Sequence, residues 1–476
     1  MNVTTHDLWY SAPLIALTAL SLVTLLYESG KRGDSAGTFW LSLLSLGTAF
    51  ILSTFNLDVR HIVFGGMILA GGYANYFNLV FLSSGIVTLI FSRTYFEKAQ
   101  YRHGELYVLL QFAIIGMMLM AAANDLMIVF LGIELMSVCL YILAGFLRKK
   151  DRGNEAALKY FLLGAFATGF LLYGIALVYG TAGTTNFDGI AALKQQLLSN
   201  TMFVIGAGML VIAFAFKVSA VPFHMWAPDV YEGAPTPITA FMATGAKAAA
   251  FSIFVTVFIH TFAIEHTKLN EVIAFIAAAS MVVGNIIAIA QTNIKRMLAY
   301  SSIAHAGYML SGIAAGSIEG EIGVLFYVAA YTLMNVGAFA VVSWLEGIND
   351  QKLTVDDYAG LSTRQPLVAA LMAIFLFSLA GIPPFAGFFG KYYVFLAAVK
   401  ADMVWLAIVG VLASLVSVYY YLRIVVLMYF REGSADIDSK LSVTSVGVVT
   451  FLAVLLFLFG LFPSLVVNLF KGFPNF

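Results

Sequence analysis

The sequence is poor in charge and almost without cysteine. Lys, Arg, Asp and Glu make up 11% of its 476 residues, against about 25% in an ordinary soluble domain. A water-soluble chain of this size could not cover its surface with so few charges, which excludes a soluble multidomain enzyme. The single cysteine, Cys139, excludes an internal disulfide and any cysteine-rich zinc or iron–sulfur cage. Basic and acidic residues balance at 25 each, so no basic face invites nucleic acid and no acidic tail solvates the chain. Neither a Walker-type nor a dinucleotide-binding glycine fingerprint occurs. The chain therefore shows no means of its own for binding ATP, NADH or a cluster. Residues Met1–Asp7 carry no Lys or Arg, so the basic leader of a cleaved signal is missing as well.

Apolar residues, by contrast, make up 61% of the chain. A helix crosses about 30 Å of hydrocarbon with ~20 residues. Apolar runs of that kind predict spans near 8–27, 38–57, 72–92, 106–123, 126–147, 156–180, 200–228, 235–262, 271–290, 297–315, 320–345, 367–398, 402–430 and 444–470. The expected fold is an all-α integral membrane protein of about fourteen transmembrane helices. Segment 61–71 reads as an extra half-helix or the start of the third span. Segment 181–199 reads as a polar loop with a short amphipathic run, Ile190–Leu198. Of the 25 Lys and Arg residues, fifteen fall in loops of one parity, among them Lys31, Arg32, Arg102, Lys295, Arg296 and Lys440. Five, Arg60, Lys194, Lys268, Lys400 and Lys471, fall in the other, and the rest, Lys159, Lys217, Lys247, Lys391 and Arg423, lie within predicted helices. The majority side is the cytoplasmic one, which places both termini outside, in the periplasm of a Gram-negative host.

The informative residues are those that hydropathy forbids. Glu134, Lys217, Lys247 and Lys391 lie well inside predicted spans, where each charge costs ~2.5–3.5 kcal/mol on insertion scales. Three lysines against one glutamate cannot all be paired with one another. Desolvation disfavours a buried ammonium, so a lysine tuned in this way can take up and release a proton. The expected partner of Glu134 is Lys217. Lys159, four residues after Glu155, reads equally as a rim ion pair or a relay member. His305 lies mid-span and could bridge Lys247 to Lys391, and His224 could gate an access path. His260 reads as near an outer end, and no two histidines have metal-ligand spacing. Asp229 and Glu232 would sit at the mouth of a broken helix, capping the next helix or gathering protons.

Two spans are broken beside a lysine. Pro222 follows Lys217 by five residues, and Gly381, Pro383 and Pro384 precede Lys391. Proline removes an amide donor and clashes with the carbonyl four residues back. In lipid such a gap is tolerated only where protein or a water-filled cavity repairs it. The breaks fall in the seventh and twelfth spans, which cross in opposite directions. This predicts two inverted five-helix repeats, spans four to eight (106–262) and nine to thirteen (271–430), flanked by N-terminal helices (1–105) and a C-terminal helix (431–476). Transporters place ion sites at such discontinuous helices.

The motif Lys217-Val-Ser-Ala-Val-Pro-Phe-His-Met-Trp-Ala-Pro-Asp-Val-Tyr-Glu-Gly-Ala-Pro-Thr-Pro closely resembles the central motif of subunit N of bacterial respiratory complex I. Leu131-Gly-Ile-Glu-Leu-Met-Ser, Asn154-Glu-Ala-Ala-Leu-Lys-Tyr-Phe, Lys295-Arg-Met-Leu-Ala-Tyr-Ser-Ser-Ile-Ala-His-Ala-Gly-Tyr and Leu379-Ala-Gly-Ile-Pro-Pro-Phe-Ala-Gly-Phe-Phe-Gly-Lys resemble the same family. The resemblance runs from about Glu105 to Phe430. It implies an antiporter-like membrane-arm subunit of a proton-translocating NADH:quinone oxidoreductase in a bacterial inner membrane. In that family the residues matching Glu134 and Lys217 form the switching pair. The one matching Lys247 is the central relay, and the one matching Lys391 faces the exit or a neighbouring subunit. Lys at that last position favours the N-type, since a sister subunit carries Glu there. Gly245-Ala246 before Lys247 departs from the Ala-Pro of the family. The resemblance implies that FMN, iron–sulfur clusters and quinone belong to partner subunits, and that this chain binds none of them. Its partners would be other membrane-arm subunits and the lipid bilayer. An Mrp-type cation/proton antiporter and the equivalent subunit of a photosynthetic ferredoxin-driven complex are the alternatives; a plain scaffold leaves the lysines at broken helices unexplained.

Overall fold

The computed structural model describes residues 4–30, 35–101, 103–347, 351–433, 435 and 441–471. Lys31, Arg32, Arg102 and Lys440 of the charge tally lie outside the described residues, as do the first three and the last five residues. Every one of the fourteen predicted stretches is helical. The main helices are α1 (Ala12–Ser29), α2 (Ala36–Ser53), α3 (Gly72–Lys98), α4 (Glu105–Ala121), α5 (Leu126–Ala144), α6 (Asp151–Ala182), α7 (Thr201–Lys217) and α8 (Trp226–Gly233). They continue with α9 (Thr236–Thr261), α10 (Lys268–Ile289), α11 (Ile294–Ala314), α12 (Ile318–Leu345), α13 (Pro366–Ala380), α14 (Ala386–Lys400), α15 (Val404–Phe430) and α16 (Val443–Leu461). Ten of them are long and apolar enough to cross a membrane. α9 and α12 are almost wholly enclosed, whereas α1 and α6 expose most of their length. This is the pattern of a bundle in which central helices carry the site and outer ones face lipid.

Three places differ from the sequence reading. Segment 61–71 is neither a half-helix nor the start of a span. It is an antiparallel hairpin of β1 (Arg60–Val63) and β2 (Ile68–Gly71), with Gly65 and Gly66 supplying the positive φ of the connection. The eighth span, α9, is not a plain α-helix: π-helical turns run over Met242–Ala246, directly before Lys247, and over Val255–Thr261. The last span stops at Leu461, and a separate helix, Pro463–Lys471, follows. The loop 181–199 holds two short helices, Phe187–Ala192 and Lys194–Leu198.

Two helix pairs, α4 with α5 and α10 with α11, are the most closely packed of the bundle. Each crossing rests on a glycine from either helix. A Cβ on Gly116 would lie 2.6 Å from the Met136 nitrogen, and one on Gly132 would lie 2.8 Å from the Gly116 carbonyl. In the second pair, a Cβ on Gly284 would lie 2.7 Å from the Ala304 nitrogen, and one on Gly307 would lie 2.7 Å from the Ala277 carbonyl. Small residues let helix backbones approach where lipid provides no hydrophobic drive for association. Glu134 lies two residues after Gly132 and His305 two before Gly307, so both stand on the closely packed helices.

Candidate functional site

The seventh span breaks at Lys217, the last residue of α7. The chain then passes through an irregular turn, with Ser219 at φ +61° and a cis Val221–Pro222 bond, before α8 begins at Trp226. Trp226 Nε1 donates to the Phe216 carbonyl at 3.0 Å, and the Val221 amide donates to Ser280 Oγ at 2.9 Å. Backbone groups that the break leaves without intrahelical partners are thus satisfied by protein. The Lys217 ammonium sits at the negative end of the α7 dipole. It does not end on Glu134. It donates to Ser137 Oγ at 2.7 Å, three residues further along α5, and lies 5.9 Å from the Tyr141 ring centroid. Glu134, half-buried, accepts from Thr168 Oγ1 of α6 at 2.7 Å. The expected direct pair is therefore replaced by two hydroxyl contacts. Glu134, Ser137 and Tyr141 share one face of α5, because residues three and four apart are helical neighbours.

Lys247 is 1% exposed. Its ammonium donates to the Ser302 carbonyl at 2.8 Å and to Ser302 Oγ at 2.5 Å. Tyr331 OH donates to the same Oγ at 2.8 Å. A π-helical turn runs over Met242–Ala246, directly before Lys247. π-turns inside α-helices re-aim side chains and recur at functional sites. Three residues after Ser302, His305 is equally buried, hydrogen-bonded through Nδ1 to Tyr327 OH at 2.9 Å and through Nε2 to Tyr421 OH at 3.2 Å. Tyr421 OH is in turn bonded to Ser301 Oγ.

The second break lies between α13 and α14, with a cis Pro383–Pro384 bond. Lys391 lies inside α14, yet its ammonium reaches back to the Leu379 and Ala380 carbonyls at 3.1 and 2.9 Å and to Ser414 Oγ at 2.8 Å. Those carbonyls are among the orphaned acceptors at the end of α13, where the helix dipole favours a cation. Gly381 takes φ +84°, and a Cβ there would lie 3.0 Å from Lys391 Nζ. Lys391 Nζ also lies 5.0 Å from the Tyr308 ring centroid. Ser302, His305 and Tyr308 thus follow one another at three-residue steps on α11. One helix carries the acceptor of Lys247, the histidine and the ring facing Lys391, over roughly 9 Å at 1.5 Å per residue.

The remaining candidates lie elsewhere. Lys159 pairs with Glu155 at 2.7 Å and Asp229 at 2.8 Å. Arg296 Nη1 joins Asp229 at 2.7 Å and Glu232 at 3.0 Å. Lys159, Glu155, Asp229, Glu232 and Arg152 border a cleft of about 220 Å³ at the mouth of the broken helix. Burial alone would raise the Asp229 carboxyl, but hydrogen bonds and charge from Lys159 and Arg296 outweigh it and hold the group below the ordinary carboxylate range. His224 lies within the break, half-buried, and its Nδ1 has no hydrogen-bond partner among the described residues. The sequence reading missed Ser137, Thr168, Ser302, Tyr327, Tyr331, Ser414 and Tyr421. Helical spacing was a signal only for Ser137, three residues after Glu134, and Ser302, three before His305; the others are brought to the site by packing alone.

Buried lysines at interrupted helices define an antiporter-like membrane protein. The family described as NADH:quinone oxidoreductase/Mrp antiporter, transmembrane, matches residues 123–417. NADH-quinone oxidoreductase subunit N of Trichlorobacter lovleyi is 49% identical over 422 residues, covering 88% of this chain and 86% of that protein. A chain of respiratory complex I from Thermus thermophilus, solved with bound aureothin, is 33% identical and superposes with a TM-score of 0.83, covering 96% of this chain and 98% of that one. A chain of the Mrp complex from Dietzia sp. has a TM-score of 0.87 over 98% of this chain and 97% of that one. At 19% identity that likeness concerns the fold alone. The chain belongs to the NADH:quinone oxidoreductase/Mrp antiporter family, and within it to the subunit N branch.

Proposed function

We propose that this chain, a membrane subunit of NADH:quinone oxidoreductase, moves protons along Glu134, Lys217, Lys247, His305 and Lys391, driven by quinone reduction elsewhere in the complex. The observation that carries the reading is how the three buried ammonium groups end. Lys217 ends on a serine hydroxyl, Lys247 on a serine hydroxyl and carbonyl, and Lys391 on two carbonyls and a hydroxyl. None has a carboxylate in hydrogen-bond contact among the described residues. A structural ion pair neutralises its charges, whereas these are solvated but not cancelled. Such an ammonium is poised to lose its proton when charge shifts nearby. Glu134 is close enough to Lys217 for its charge to be felt, so moving the carboxylate toward or away from Ser137 is the switch.

Each proton moved against ~150 mV costs about 3.5 kcal/mol of electrical work. The free energy arrives through contacts with neighbouring membrane-arm subunits, and FMN, iron–sulfur clusters and quinone act in partner subunits. Pro222, Pro383 and Pro384 hold the interruptions at which water reaches the lysines. His224 borders the first of them as a secondary member. Lys159 belongs to the rim network at the cytoplasmic mouth, the membrane is the bacterial inner membrane, and both termini face the periplasm. Residues 106–262 and 271–430 act as two inverted units, a reading supported by the matching glycine-locked helix pairs. The 49% identity to a subunit N favours this reading over an Mrp-type antiporter. The test is acidification of sealed membrane vesicles during quinone reduction. Lys217→Ala and Glu134→Ala complexes assemble but lose most proton pumping; normal pumping in either defeats the assigned roles.

A further inference from the structure

A second buried acid–base pair lies away from these residues. His260 Nε2 is 3.1 Å from Glu321 Oε2, joining the π-helical end of α9 to the first turn of α12. Glu321 is 8% exposed, and only part of the imidazole reaches solvent. Above the pair opens a recess of about 610 Å³, bordered by Lys194, His260, Glu265, His266 and Glu319. Lys400, paired with Glu319 at 3.1 Å, stands close by. This recess lies at the C-terminal end of α11, beside Gly316, while the Arg296 network lies at its N-terminal end. The 21 residues between separate the two mouths by roughly 31 Å, the thickness of a hydrocarbon core.

Polar groups lead from the pair toward the interior. Tyr73 of α3 is near enough to Glu321 for its charge to be felt, and it donates to the Ser252 carbonyl at 2.8 Å. Thr256 Oγ1 donates to the same carbonyl at 3.0 Å. Along α12, Glu321 stands six residues before Tyr327, the partner of His305, or about 9 Å. About two turns of α12 therefore span the distance from the histidine of the pathway to the recess.

We propose that the Glu321–His260 pair is the outlet through which a proton leaves the lysine pathway for the outer face. This rests on the proton-moving role given above. The Glu321 carboxylate takes a proton delivered through water from the His305–Tyr327 region and becomes a carboxylic acid. Its O–H passes the proton to His260 Nε2, which becomes imidazolium. The imidazolium releases it to water in the recess, and both side chains return to their starting forms. A pair that merely fastens α9 to α12 would need the opposite charges and nothing else.

That difference supplies the experiment, run on the assembled complex in sealed vesicles with a pH-sensitive dye. Glu321→Gln removes the proton site, and His260→Lys keeps a cation opposite Glu321 but holds its proton far more tightly than imidazole. Lys247→Ala gives the share of the acidification signal owed to this chain. Both variants are expected to lose that same share while quinone reduction continues. If Lys247→Ala loses it and His260→Lys or Glu321→Gln keeps it, the outlet is overturned and the lysine pathway stands. If Lys247→Ala keeps it as well, the proton-moving role itself fails. Should Glu321→Gln not assemble, His260→Lys alone decides between fastening and transfer.

Discussion

The charges of this protein occur in two settings. At the rim, Lys159, Glu155, Asp229, Arg296 and Glu232 form a network in which every cation touches a carboxylate. In the interior, Lys217, Lys247 and Lys391 touch hydroxyls and carbonyls instead. The rim side chains are at least 24% exposed, whereas the interior lysines are at most 7% exposed. Pairing is thus strongest where it is least needed, and the costliest charges are left uncancelled. A device meant only to hold helices together would be arranged the other way round. A Lys or Arg beside a carboxylate holds its proton, whereas a lone ammonium among dipoles can release it.

The contrast can be broken most severely at the interior lysines. Lys247→Ala, like Lys217→Ala and Glu134→Ala, should cut proton pumping on the order of tenfold or more, the scale of a lost proton-transfer group, with assembly unchanged on native gels. Gly381→Ala comes next. It forces an L side chain to positive φ, at ~1–2 kcal/mol, and sets its Cβ against Lys391. A lower thermal midpoint of the complex together with reduced pumping is expected. Ser302→Ala leaves Lys247 one carbonyl and strips Tyr331 of its acceptor, a loss of ~1–3 kcal/mol, with pumping slowed but present.

Effects at the rim should be smaller. Lys159→Ala removes exposed pairs worth ~0.2–1 kcal/mol each, and pumping should stay within about twofold of the parent because no proton-transfer group is lost. The pH dependence of the network follows from Asp229, whose folded carboxyl is held below the ordinary value. Its stabilisation is complete above the unfolded value of ~3.9 and disappears as pH falls through the lower folded value. Detergent-solubilised complex should keep its rim contribution from neutral pH down to about 4 and lose it below. The loss should be small, since the carboxylate is partly exposed and screened. Asp229→Asn should remove that acid-side slope.

Much of this was legible before the structure. Apolar run length located the long apolar helices, and the forbidden positions of Glu134, Lys217, Lys247 and Lys391 marked the candidate site, because lipid makes buried charge conspicuous. Serine, threonine and tyrosine are not conspicuous. Ser137, Ser302 and Ser414 sit within spans at little cost, since a hydroxyl can bond to its own helix backbone. A linear reading therefore gives no reason to choose the serine that meets a lysine, and Glu134 was assigned to Lys217 in place of Ser137 and Thr168. The hairpin at residues 60–71 escaped because two four-residue strands are too short for their alternation to stand out. The π-turns of α9 leave no proline or glycine cluster that would announce them. His260 and Glu321 lie near the ends of predicted spans, 61 residues apart in sequence, and meet only when α9 and α12 pack together.

The most direct measurement is proton pumping by the complex carrying Lys247→Arg. Arginine keeps a positive charge in the same place but does not give up its proton in a protein. If Lys247 carries protons, the variant pumps as little as Lys247→Ala. Pumping at the parental rate would mean that a fixed charge suffices, and the account of the interior lysines would be wrong.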